Sequence, residues 1–166
     1  MAAPAKGSAR RHLALESFLP YRLSLLSNTV SNAIARDYHD RFGLTVPEWR
    51  VMAVLGRFGP DTATGICART AMDKVTVSRA MTRLIGEGLI ARSADRADRR
   101  RVIARLTRKG RSVHDRIVPA AKDHERALLE ALTPAEVKTL ARLLDKLQSR
   151  ADAREADGPG AARANG

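Results

Sequence analysis

The sequence predicts a mainly α chain of the α+β type, in which one small β-hairpin interrupts a succession of helices. Two patterns carry this expectation. Apolar residues recur at three- and four-residue steps through most of residues 20–147, and between residues 89 and 106 the period shortens to two. Composition agrees: hydrophobic residues make up 44 % of 166 residues but aromatics only 4 %. A core of Leu, Val, Ile and Ala follows, with Ala, Leu and Arg favouring helices because they lose little side-chain freedom there.

Residues 1–12 show no period and read as a disordered basic arm. Pro20 suits a first helical turn, and Leu23, Leu26, Val30, Ile34 and Tyr38 then form one apolar stripe that should stop near Gly43. Thr45 is an N-cap for a second helix, with Pro47 and Glu48 behind it. Trp49, Met52, Ala53 and Leu55 give that helix an inner face, and residues 56–60 should end it. A short third helix over 64–70 holds Ile66 and Cys67. Asp73 caps a fourth, to about Gly86, with Val77, Met81, Leu84 and Ile85 inward. Gly88 stands where a helix end needs a left-handed residue.

Residues 89–92 form a short strand, 93–100 a polar loop, and 101–106 an alternating strand. Thr107 caps a long fifth helix through Val113, Ile117, Leu128 and Leu132, which Pro119 should bend or cut. Thr133, Pro134 and Glu136 start a sixth, carrying Val137, Leu140, Leu144 and Leu147. The organisation expected is therefore a winged helix-turn-helix lobe over 45–106, a helical dimerisation region from both chain ends (13–44 and 107–150), and a disordered tail over 151–166.

Charge points to the partner. The net charge is +12, and residues 73–111 alone contribute 12 basic and 4 acidic side chains, a net +8. A concentrated basic patch implies a polyanion, most commonly nucleic acid. No aromatic lies within the patch to stack on unpaired bases, which disfavours a single-stranded RNA module and favours duplex DNA. Arg reaches guanine edges bidentately, while Thr and Ser offer hydroxyls and methyl contacts. On the fourth helix Thr76, Ser78, Arg79, Thr82 and Arg83 fit base reading, and Lys74 a phosphate contact. In the hairpin, Arg96, Arg99, Arg100 and Arg101 suit the negative potential of a narrow minor groove, with Arg96 nearest the tip.

No phosphate-binding glycine loop, nucleophile elbow or clustered Cys/His set is present, so neither an enzyme, a cofactor nor a metal is expected. His12, His39, His114 and His124 lack ligand spacing, and the single Cys67 excludes an internal disulfide; its place favours an inert core thiol over a redox sensor. The apolar stretch over 13–26 is broken by Glu16, Pro20 and Arg22, and no run approaches the ~20 residues of a membrane span. No signal peptide and a cytoplasmic location are the expectation.

Three motifs in order resemble the MarR (multiple antibiotic resistance regulator) family. They are Leu44-Thr45 with Glu48-Trp49-Arg50-Val51; Thr76-Val77-Ser78-Arg79 with Arg83-Leu84 and Gly88-Leu89-Ile90; and Asp98-Arg99-Arg100 with Leu106-Thr107-Arg108-Lys109-Gly110. The resemblance covers residues 19–147. It departs from the family at the extra Arg101, at Pro119, and at Gly65 and Cys67 in the third helix.

It implies a homodimeric repressor of a pseudo-palindromic operator, released by a small effector, with Asp98 holding one wing arginine. In such relatives an aromatic acid sits in a crevice between the dimer region and the DNA lobe. Tyr38, His39, Trp49 and Arg50 are the residues that would line it here. The competing expectation is a sequence-independent basic nucleic-acid binder, which would not prefer one duplex over another.

Overall fold

The computed structural model describes residues 13–94 and 101–156. The elements run α1 (Leu19–Phe42), α2 (Val46–Phe58), β1 (Asp61–Thr62), α3 (Ala63–Thr70), α4 (Lys74–Gly86), β2 (Ile90–Ala94), β3 (Val102–Leu106), α5 (Arg108–Leu129) and α6 (Pro134–Ala156). The three strands form one antiparallel sheet in the order β1-β3-β2, with Arg92 opposite Ala104 and Asp61 opposite Ala104 on the other side.

The helix boundaries follow from their caps. Pro20 opens α1, and Gly43, at φ 65°, closes it while its N–H donates to the His39 carbonyl. At the start of α2 the Glu48 carboxylate turns back and accepts the Thr45 N–H at 2.8 Å. Asp73 caps α4, accepting the Thr76 N–H at 2.8 Å and its hydroxyl at 2.6 Å. These bonds hold the Asp73 carboxyl below the usual carboxylate range, the Thr76 hydroxyl contributing most.

The second helix ends at Phe58, inside the 56–60 span expected to end it, whereas several other elements differ from the sequence expectation. A side chain at Gly56 would collide with the His114 ring, so this glycine admits a neighbour rather than terminating a helix. The strand β1 is too short to show a period, and pairing with β3 alone defines it. The fifth helix is continuous through Pro119; the ring lacks an N–H, so one intrahelical bond is given up and the helix is not cut. The last helix passes Arg150 and runs to Ala156.

Packing divides the chain into two compact units between Ala120 and Ala121, inside α5. In the first unit the largest fully buried side chains are Met52, Ile66, Leu84, Ile90, Val51 and Val77, contributed by α2, α3, α4 and β2. Each contributes about 1.5–3 kcal/mol by leaving water. Tyr38 and Leu44 at the end of α1 and Ile117 of α5 join the same core. Val113 of α5 packs against it, half-buried.

In the second unit Leu128 of α5 and Leu140, Leu143, Leu144 and Leu147 of α6 stay exposed. The early turns of α1, with Leu19, Leu23, Leu25 and Leu26, are exposed as well. Among the described residues no helix is long and apolar enough to cross a membrane.

Candidate nucleic-acid interface

The helix α4 owes its orientation to two sets of contacts. Inward, Val77, Ala80, Met81 and Leu84 are buried. At its C-terminal end, the segment 106–110 grips it from α5. Thr107 Oγ1 donates to the Gly88 carbonyl at 2.7 Å, Thr107 N–H to the Leu89 carbonyl at 3.0 Å, and Lys109 Nζ to the Glu87 carbonyl at 2.7 Å. Gly110 lies so close to the Leu89 carbonyl oxygen that a Cβ there would overlap it. The Leu-Thr-Arg-Lys-Gly motif is therefore a clasp between α5 and the exit of α4.

What remains of α4 faces outward and is polar apart from the exposed Val75. Lys74, Ser78, Arg79 and Thr82 are exposed. Thr82 Oγ1 donates to the Ser78 carbonyl at 2.9 Å, which fixes its rotamer and leaves its oxygen free to accept. Thr76 is half-buried, and its hydroxyl proton is committed to Asp73.

Arg83, also exposed, has partners within its own chain. Its Nη2 donates to the Gly43 carbonyl at 3.0 Å and its Nε lies 3.4 Å from Glu48 Oε1, although half of the side chain is exposed. The 40-residue separation from Gly43 left no local signal of this bond.

At the hairpin, Arg101 is exposed just before β3. Arg96, Arg99 and Arg100, with Asp98, lie outside the described residues. Arg92 on β2 and Arg105 on β3 are exposed and add positive charge to the hairpin stem. Sequence reasoning passed them over because it looked to the loop, yet their alternation with apolar neighbours was readable.

The proposed ligand residues are only partly brought together. Tyr38 is buried and its ring centroid lies 5.9 Å from that of Trp49. Burial pushes the Tyr38 hydroxyl up to about 12, with the nearby Arg50 opposing. Arg50 Nη2 donates to Ser31 Oγ at 3.3 Å. The residue missed is His114 of α5, whose ring centroid lies 5.6 Å from Trp49 and whose Nδ1 is 3.0 Å from Asp115 Oδ1. Gly56, which makes room for that ring, was its only trace in the sequence. His39 is exposed.

Cys67 is half-buried against the core. Gly65 of the same helix has no side chain because the Asp61 carboxylate fills that space while binding Arg69 Nε at 3.1 Å. Among the described residues no group of His, Cys, Asp and Glu could hold a metal ion.

The MarR family model matches residues 42–101, the span from the end of α1 to the start of β3. A MarR family transcriptional regulator from Silicibacter pomeroyi DSS-3 is 34 % identical over 82 % of this chain and 99 % of its own, with a TM-score of 0.68. The Bordetella bronchiseptica regulator BpsR, whose DNA binding is regulated by 6-hydroxynicotinic acid, is 28 % identical over 82 % of this chain and 97 % of its own, with a TM-score of 0.71. The transcriptional repressor NicR of Pseudomonas putida is 29 % identical over 104 residues, 63 % of this chain and 66 % of the repressor. These relatives are transcription regulators, not enzymes.

Proposed function

The chain belongs to the MarR family of DNA-binding transcription regulators, and from that premise we propose that it is a homodimeric repressor of a pseudo-palindromic operator, released by a small aromatic acid. The observation that carries the reading is α4. Its apolar side is buried, its end is clasped, and its polar side, with Lys74, Ser78, Arg79 and Thr82, is presented beside an arginine-bearing hairpin. Ser78, Arg79 and Thr82 read base edges, Thr76 offers its methyl group, and Lys74 meets phosphate. Arg96, Arg99, Arg100 and Arg101 approach the adjacent minor groove.

Dimer formation is supported by the uncovered leucines of α1 and α6, which a second copy would bury. Two-fold symmetry then sets the reading helices about one DNA turn, roughly 34 Å, apart. Repression is supported by the likeness to NicR, and an aromatic acid effector by the likeness to BpsR. Tyr38, Trp49 and His114 offer rings to such a ligand, and Arg50 a guanidinium for its carboxylate; His39 is the peripheral member of the set.

Selection of bound sequences from random duplex DNA at physiological ionic strength tests the reading. One pseudo-palindromic motif with half-sites a turn apart is expected, held about 10³-fold or more over random duplex. A featureless pool would replace it with a sequence-independent binder.

A further inference from the structure

Arg83 occupies the last turn of α4, the turn farthest from the free N-terminal end. Its guanidinium makes two contacts, both to residues beyond its own helix: the Gly43 carbonyl that ends α1, and the Glu48 carboxylate that begins α2. Glu48 is 4 % exposed and is the one buried charged side chain among the described residues. Its Oε2 is taken by the Thr45 N–H, so Oε1 has Arg83 as its counter-charge. A carboxylate withdrawn from water needs such a partner, and leaving it alone is costly. This arginine is thus called inward by a buried charge, and a base-reading arginine would have to desert it.

From this node, and on the reading of the chain as a sequence-specific DNA binder, we propose that Glu48 and Arg83 are positioning residues for DNA recognition. Arg83 ties the recognition helix to the end of α1 instead of reading a base, and Glu48 acts through Arg83. The opposite side of the α4 exit is fixed by the Lys109 and Thr107 clasp. A cleft of about 310 Å³ opens between the two attachments, lined by Gly43, Glu48 and Arg83 on one side and Glu87, Leu89 and Lys109 on the other. Leu84 holds the inner side of this turn in the core, and the two attachments add to that contact in setting the angle of α4 there. Base reading demands placement to within about 0.5 Å. Loss of the tie therefore degrades discrimination over the whole half-site, while phosphate attraction, which is sequence-independent, persists.

The test is Glu48→Gln, which keeps an oxygen for the Thr45 N–H and removes the charge facing Arg83, measured beside Arg83→Gln and the double variant. Anisotropy titrations with the selected operator and with random duplex, together with thermal melts, give the readouts. Each single variant is expected to bind the operator about tenfold more weakly, with the double variant no worse than Arg83→Gln, as for two members of one coupled pair. Random-duplex affinity stays within twofold, and Glu48→Asp, which keeps the carboxylate, recovers part of the loss. Wild-type operator affinity in Glu48→Gln overturns the inference. So does an Arg83→Gln defect confined to a single base pair, the mark of a base reader, and this readout serves even if Glu48→Gln does not fold. Parallel loss of operator and random binding would assign the pair to structure alone. A wild-type protein that prefers no operator would instead refute the proposed function, and this inference would fall with it.

Discussion

The helices α4 and α6 are built on the same plan and meet different fates. Both carry apolar residues at helical spacing and basic residues on the remaining face. In α4 the apolar set, Val77, Ala80, Met81 and Leu84, is buried within its own chain. In α6 the corresponding set, Leu140, Leu144 and Leu147, remains between 41 % and 45 % exposed. Sequence period specifies that a helix has an apolar face, but what covers the face depends on which elements the chain can bring to it. The lobe around α4 has α2, α3, the sheet and the first half of α5 at hand. An uncovered stripe on α6 is a demand for another surface, and in the homodimer proposed above a second copy of the chain would supply one of identical character.

The strongest way to break this contrast is to attack the closure of the lobe. Gly110→Ala places a methyl group against the Leu89 carbonyl oxygen, which is backbone and cannot swing aside. The start of α5 must shift, and the Lys109 and Thr107 bonds to the end of α4 go with it. Destabilisation of about 3 kcal/mol is expected, at the upper end of what overpacking a tight contact costs. Urea denaturation of the two proteins measures it. A variant as stable as wild type would mean that the approach of the two segments is loose.

The converse substitution attacks α6. Leu140→Glu with Leu144→Glu puts charge on the uncovered face and should leave the lobe untouched. Each change is expected to weaken self-association by about 2 kcal/mol, roughly thirtyfold, as for apolar anchors at an interface. Urea unfolding of the lobe should move by less than about 0.5 kcal/mol, as for surface changes. Sedimentation equilibrium distinguishes the two effects. If the pair of glutamates changes lobe stability and not association, α6 is covered from within the chain and the contrast disappears.

Arg79→Ala sharpens the functional side of the comparison, since Arg79 sits on the α4 face that the lobe leaves free. Loss of one bidentate base contact is expected to cost about 1–2 kcal/mol on the operator and to relax preference at one base pair of each half-site. Selection repeated with the variant reads this directly. An unchanged motif would remove Arg79 from the reading set.

Most of the fold was legible because the signals were local. Thr45, Asp73 and Thr133 each precede a helix, Gly43 and Gly88 follow one, and the change of period at residue 89 marks the hairpin. What escaped was set by contacts distant in sequence. Nothing near Gly56 in the chain announces the His114 ring that a side chain there would strike, and β1 exists only through pairing with β3. Arg83 has the chemistry of a base reader, and nothing near it in the chain announces Gly43 or Glu48 as partners. Lys74, Ser78, Arg79 and Thr82 were readable as an outward face because a helix exposes positions by period alone, whereas the contacts of Arg83 to Gly43 and Glu48 required the packing.

The smallest expected effect concerns the turn between α3 and α4. Ala71 closes α3 at φ 52°, the one non-glycine residue with positive φ among those described. For an L-residue the left-handed region costs about 1–2 kcal/mol. Glycine adopts it freely but loses more freedom on folding, which returns about 0.5–1 kcal/mol of that gain. Ala71→Gly should therefore stabilise the lobe by about 0.5 kcal/mol, raising the midpoint of thermal unfolding by about 2–4 °C for a domain of this size. The turn also sets the angle at which the free end of α4 leaves α3, so operator affinity is the second readout. Stability that rises while affinity falls would mean that the alanine stiffens the turn for reading; stability that falls would mean that the left-handed strain at Ala71 is smaller than the entropy a glycine brings.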